Sequence, residues 1–185
     1  MLAKGFHICK ICKEDCGFWS HGHYSRNKID EQGDESNEEI SRYLCRKHKD
    51  KYPTFSCLPE ELIPYRQYSL FLIFKLLMEY SCSEELPKNK RLEKAVNIEG
   101  SPKKKLDITQ IHIYSFERLI QGAIDKISII TKKTICKIAE FIEYCNQFKY
   151  EEEIGVLAIS RYFFQISERF LFGVASQHRK PSILY

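Results

Sequence analysis

Two short pairs of metal-binding residues constrain this chain more than any other feature of its sequence. Cys9 and Cys12 are separated by two residues, and Cys45 and His48 repeat that spacing. A CxxC turn aims both of its sulfur atoms at one point, and two such turns supply the four ligands of a tetrahedral zinc ion. The sequence therefore predicts one zinc ion bound by Cys9, Cys12, Cys45 and His48.

Other residues near these pairs could take the place of a ligand. Cys16 is the main alternative to His48, and His21 and His23 follow a little further along. In the expected set, protein fills all four positions, which is typical of a structural zinc site; a catalytic site keeps one position open for water. A redox role for the first cysteine pair would need a strand-to-helix βαβ setting, which the sequence does not show.

The remaining cysteines bear on the cellular compartment. Five of the eight lie in the first third of the chain, whereas Cys82, Cys136 and Cys145 sit in or beside apolar helical patterns and are interpreted as reduced thiols. The N-terminus has no apolar run of signal-peptide length, and no stretch reaches the roughly 18 apolar residues of a membrane span. We therefore expect a cytoplasmic protein with no membrane partner.

The pattern along the chain predicts an α+β protein, in which a small zinc ribbon of β-hairpins precedes a mainly α-helical domain. The zinc ribbon is expected over residues 1–66, because the sequence from Phe6 to about Ser56 alternates short aromatic or apolar clusters with turn residues, as hairpin strands do. Within them, Asp30–Glu39 contains six acidic residues and nothing to bury. We expect this acidic segment to be a solvated loop between two strands.

The rest of the chain reads as helices interrupted by one polar stretch. Residues 67–82 predict a buried connecting helix capped by Ser69, and residues 83–107 a polar linker or long loop with at most one short helix at RLEKAV. Residues 108–185 predict a helical bundle domain. Three helices are expected in this domain. The first is capped by Ser115, the second begins near Thr131, and the third runs through IGVLAISRYFFQISERFLFG to Gly173.

The segment after the second ligand pair carries a resemblance to a known family. Within the phrase LPEELIPYRQYS, the residues that carry the resemblance are Leu58, Pro59, Leu62, Pro64, Tyr65, Tyr68 and Ser69. It resembles the corresponding phrase of bacterial transposase-like zinc-ribbon proteins associated with insertion sequences, over about residues 6–80. The resemblance implies recognition of DNA at mobile-element ends, with zinc as scaffold. His48 stands where that family usually has cysteine.

A transposase needs more than a ribbon. It cuts DNA with three carboxylates of a ribonuclease-H-like domain that hold two metal ions. After residue 106 the sequence predicts helices rather than a five-stranded sheet. We therefore expect no catalytic residues, no enzymatic activity and no small-molecule substrate.

Basic residues on the ribbon are the candidate contacts to double-stranded DNA. The net charge of +4 is modest, but Lys and Arg cluster here among aromatic residues, as phosphate contact requires. The candidates are Arg26, Lys28, Arg42, Arg46, Lys47, Lys49 and Lys51. The expected function is a non-catalytic DNA-binding accessory or regulatory protein derived from a mobile element. The alternative is a protein-interaction module, in which zinc is a structural staple and the helical domain binds a partner or forms a homo-oligomer.

Overall fold

The computed structural model describes residues 17–47, 55–56, 58–59, 61–63, 66–97, 106–167 and 171–172. The chain forms two compact units. The hairpin unit comprises Met1–Lys28 and Glu35–Pro59, and the helical unit comprises Ile29–Asp34 and Glu60–Tyr185. The expectation of a mixed α+β protein, with an N-terminal hairpin followed mainly by helices, is confirmed.

A long hairpin dominates the first part of the chain. Strands β1 (Phe18–Ile29) and β2 (Glu35–Cys45) are joined by a short turn, and β3 (Phe55–Ser56) extends the sheet in the order β1-β2-β3. β3 pairs antiparallel with β2, with Phe55 opposite Tyr43. Because the turn is short, the second half of the polar segment lies in β2.

The acidic segment was expected to be a loop throughout, and this prediction was wrong for its second half. Residues 35–39 begin β2, where Glu38 and Glu39 pair with side chains of β1. The turn itself is stabilised by Asp30, whose carboxylate accepts hydrogen bonds from the backbone N–H groups of Gln32 and Asp34, both at 2.9 Å. Cross-strand pairing stabilises a strand that local composition would not predict.

The described residues of the helical unit form five helices and a short hairpin. They are α1 (Leu70–Ser81), α2 (Lys88–Val96), α3 (Gln110–Thr131), α4 (Ile138–Gln147), β4 (Lys149–Tyr150), β5 (Glu153–Ile154) and α5 (Val156–Ser167). None of the helices in the described ranges combines the length and apolar character needed to cross a lipid bilayer.

Helix α1 lies in the core of the helical unit. The predicted cap is confirmed, because the hydroxyl of Ser69 accepts a hydrogen bond from the backbone N–H of Leu72 at 3.1 Å. Expected as a connector between domains, α1 instead contacts α2, α3 and α4. The expected linker over residues 83–107 also contributes to this core, since α2 buries Ala95 and Val96.

Helix boundaries in the last third differ from the sequence prediction. α3 begins at Gln110, not after Ser115, because the backbone N–H of Thr109 donates to Nδ1 of His112 at 3.1 Å and closes the first turn. α3 ends at Thr131, followed by Lys132 with a left-handed φ of 56°. Residues 132–137 are therefore not helical, and the second helix starts at Ile138.

The third predicted helix is shorter than expected. Ile154 lies in β5, and α5 begins only at Val156. The turn from β4 to β5 has Glu151 with a φ of 55°, and Gly155 between β5 and α5 has a φ of 103°. A left-handed residue at each point ends regular structure, which is why the apolar run there does not form one continuous helix.

Candidate metal centre and nucleic-acid interface

Most of the predicted zinc ligands fall outside the described residues. Cys9, Cys12, His48 and the alternative ligand Cys16 are among these, while Cys45 is the last residue of β2. Within the residues that the structure describes, no three His, Cys, Asp or Glu side chains come together as a possible metal site. The zinc site therefore stays a prediction, and the structure describes the backbone beside it.

Gly17 and Arg46 meet at the open end of the hairpin. The backbone N–H of Arg46, the residue after Cys45, donates to the carbonyl of Gly17 at 3.3 Å. Gly17 has a φ of +65°, and a Cβ placed on it would lie 3.2 Å from Cδ of Arg46. Gly17 follows the first predicted ligand pair in the sequence, and Arg46 lies within the second pair. The hairpin therefore brings the chain near each pair together, as a zinc site built from two pairs requires.

The two histidines on β1 were possible alternative zinc ligands. Nε2 of His23 lies 2.9 Å from Oε1 of Glu39, and both side chains are largely exposed. His21 is also exposed on β1. An exposed cross-strand pair of this kind contributes little to stability, because water screens it.

One face of the hairpin collects basic and aromatic side chains. After Gly22, side chains on β1 alternate, so Tyr24, Arg26 and Lys28 share a face that is half-buried. The guanidinium of Arg42 on β2 lies 4.8 Å from the centre of the Tyr24 ring. This stacking places Arg42 on the same face and restricts its motion.

The predicted DNA contacts differ in how available they are. Arg42, Arg46 and Lys47 are exposed, the last two in the turn that follows β2. Lys28 is half-buried, and its ammonium lies 3.5 Å from the carboxylate of Glu38. Lys49 and Lys51 lie outside the described residues.

Charge is separated along β2. Glu35, Glu38 and Glu39 lie in its first half, whereas Arg42 lies in its second half and Arg46 and Lys47 directly follow it. At a rise of about 3.3 Å per residue, Glu35 and Arg42 are separated by roughly 23 Å. That is more than twice the screening length at physiological salt, so salt largely screens Glu35 from the basic end of β2, whereas Glu39, about 10 Å from Arg42 along the strand, still acts on it.

The cysteines of the helical unit are free thiols, as predicted. Cys82 and Cys136 are exposed and Cys145 is buried. Burial raises the pKa of the Cys145 thiol far above its ordinary value, which keeps it protonated and unreactive.

Comparison with known proteins finds a family that is similar to part of this chain. A family described as a domain of unknown function, DUF6431, matches residues 9–97, which is less than half of the chain. The matched region includes both predicted ligand pairs, the hairpin and helices α1 and α2. No curated protein and no solved structure matches the chain.

Proposed function

We propose that this protein binds double-stranded DNA through a zinc-stabilised hairpin and acts as a non-catalytic accessory or regulatory protein of a mobile element. The observation that carries the proposal is the exposed basic end of β2, formed by Arg42, Arg46 and Lys47. It directly adjoins the segment in which the second pair of zinc ligands is expected. The resemblance of residues 58–69 to transposase-like zinc-ribbon proteins supports DNA as the partner.

The shape of the hairpin suits this partner. A two-stranded β-ribbon fits into the major groove of B-form DNA, and several DNA-binding proteins read the groove in this way. Arg42, held over the Tyr24 ring, presents a guanidinium that is already ordered and so loses less entropy when it contacts phosphate. Arg46 and Lys47 extend the positive charge into the turn after the strand.

Zinc has a structural role in this proposal. Cys9, Cys12, Cys45 and His48 would hold the ion with all four positions filled by protein, so the ion would supply folding free energy rather than Lewis-acid chemistry. The residues that contact DNA belong to the hairpin itself. Their positions depend on the open end of the hairpin being closed.

Binding to a duplex should depend strongly on salt, and three substitutions should weaken that dependence. In the triple variant Arg42→Ala, Arg46→Ala and Lys47→Ala, up to three phosphate contacts are lost. The slope of log affinity against log salt should then flatten by roughly 0.9 for each lost contact. Fluorescence anisotropy of a labelled duplex, titrated with zinc-loaded protein at several salt concentrations, measures the slope.

A matched triple variant controls for net charge. Lys75→Ala, Lys94→Ala and Lys137→Ala remove three exposed positive charges from the helical unit. This control should retain the native slope. Equal flattening in both triple variants would contradict an interface on the hairpin, and an absence of binding by zinc-loaded protein at low salt would contradict DNA as the partner.

Charge reversals at two positions in the acidic half of β2 should affect DNA binding differently, because the two positions lie at different distances from Arg42. Glu39 is about 10 Å along the strand from Arg42, whereas Glu35 is about 23 Å away. Glu39→Lys should therefore tighten binding about threefold at low salt, since it replaces a repulsive charge near the phosphates with an attractive one. Glu35→Lys should change the affinity much less, because the Coulomb energy falls with distance and salt screens part of what remains. An equal gain from both variants, measured by the same titration, would show that the interface does not end at the basic half.

A protein-interaction role is the second candidate. The observation that favours it lies in the helical unit, where helix α3 exposes two large apolar side chains, Ile111 and Ile129, to solvent.

A further inference from the structure

Helix α3 carries an unusual outer face. Ile111 and Ile129 are 77% and 79% exposed, although both are large and apolar. They lie 18 residues apart, which is five turns of an α-helix, so they point in the same direction about 27 Å apart. The buried side chains of α3, including Phe116 and Ile120, lie on the opposite face. The two isoleucines therefore mark the ends of one line along the surface of the helix.

The residues between the two isoleucines are small or charged. Arg118, Gly122 and Asp125 lie along the same line at helical spacing. In the part of the chain that the structure describes, no side chain forms a hydrogen bond or ion pair with Arg118. The carboxylate of Asp125 accepts a hydrogen bond from the side-chain amide of Gln121 at 3.1 Å and remains exposed.

Gly122 is the second unusual feature. It lies in the middle of α3, where glycine is less favourable than alanine by about 1 kcal/mol. A Cβ added at this position would meet no atom of the described residues within 4 Å, so packing against these residues does not require glycine. Glycine on an exposed helix face allows the backbone of another helix to approach closely.

We propose that two copies of this chain associate through the outer faces of their α3 helices, packed antiparallel about a two-fold axis. Positions 111 and 129 are symmetric about residue 120, so Ile111 of one copy would pack against the partner's Ile129, and the reverse. Arg118 would lie beside the partner's Gly122 and within one turn of the partner's Asp125. The same face thus supplies both halves of each apolar contact and of each ion pair.

The self-complementarity of the charges selects a second copy over an unrelated partner. Arg118 and Asp125 are both displaced from the centre of the line, in opposite directions, and carry opposite charges. Antiparallel pairing therefore brings unlike charges together twice, whereas parallel pairing would place like charges side by side. The interface is small, since it involves one helix from each copy, and a weak dimer is expected. The proposal does not depend on DNA binding.

Sedimentation velocity of the full-length protein, over concentrations from low micromolar to several hundred micromolar, tests the proposal. The native chain should shift from monomer to dimer across this series. Ile129→Asp should raise the dissociation constant about 100-fold or more, because it removes two buried isoleucine contacts from the dimer. Ile166→Asp, which changes an exposed isoleucine of α5, should leave the constant unchanged.

A charge exchange distinguishes this interface from a general loss of structure. Arg118→Asp should weaken the dimer, because each copy then presents two acidic residues to the other. The double variant Arg118→Asp with Asp125→Arg should restore dimerisation, since it exchanges the two charges and keeps their complementarity. A monomer at every concentration would overturn the proposal. So would a dimer that tolerates Ile129→Asp, or one that the double variant fails to restore.

Discussion

Replacing Cys45 with serine is expected to remove zinc from the protein and to unfold the hairpin unit, while the helices remain folded. Among the side chains of the hairpin unit whose burial the structure describes, Ile40 is the only buried hydrophobic one. Ordering two long strands costs conformational entropy, which we expect zinc binding to offset. Structural zinc contributes roughly 10 to 16 kcal/mol in peptides of this kind, which is more than the net stability of most domains.

The two units can be followed separately in one sample. Trp19, the only tryptophan of the chain, lies on β1, so its fluorescence reports the hairpin unit. Circular dichroism at 222 nm mainly reports the helices, which lie in the helical unit. In Cys45→Ser, zinc measured by elemental analysis should fall from one ion per chain to none, and the Trp19 emission should move toward that of the unfolded protein. The helical signal should keep most of its amplitude.

A matched cysteine variant makes this result specific. Cys136→Ser changes an exposed free thiol of the helical unit and should retain one zinc ion with native fluorescence. The choice of fourth ligand needs a further pair of variants: His48→Ala should lose zinc, and Cys16→Ser should keep it. The opposite outcome would place Cys16 in the site. If Cys45→Ser itself retained zinc, the paired arrangement would be wrong.

The features that sequence reasoning predicted correctly are those specified by nearby residues. Helix α1 follows from its apolar stripe and from Ser69, whose hydroxyl caps the helix only three residues away. The zinc site also rests on local spacing, that of the two ligand pairs, and it stays a prediction. By contrast, the start of α3 depends on a cap in which histidine replaces the usual Glu or Gln, and the standard pattern does not include it.

Features that depend on distant residues could not be predicted in this way. Glu38 and Glu39 belong to a strand because of their partners on β1, and their own composition favours a loop. The face of the hairpin on which each basic residue lies could not be predicted from the sequence either. Gly22 has a φ of +81° within β1, so alternation cannot be counted across it, and a shift of one residue moves every side chain to the other face.

The position of α1 in the helical unit is the third such feature, and it leads to the second large effect. Phe74 of α1, Phe141 of α4 and Phe172 form a cluster of three aromatic rings, with centroids 5.7 to 6.4 Å apart and edge-to-face geometry. The sequence placed Phe74 in a connecting helix and Phe141 in a separate bundle. Their contact makes α1 part of the same core as α4.

Phe141→Ala should destabilise the helical unit by about 3 to 5 kcal/mol, because the ring is fully buried and its loss leaves a cavity. Urea unfolding followed at 222 nm measures the change, and Ile166→Ala on the exposed side of α5 should cost less than about 1 kcal/mol.

Phe74→Ala should cost a similar amount, and the two losses should not add. Edge-to-face pairs contribute about 0.5 to 1.5 kcal/mol beyond area burial. Each single variant already loses the whole energy of the pair, so the double variant loses that energy once and not twice. If the double variant is too unstable to measure, Phe74→Leu and Phe141→Leu give a milder cycle. Strict additivity, or an unfolding curve in which α1 melts separately from the other helices, would show that α1 does connect two independent domains.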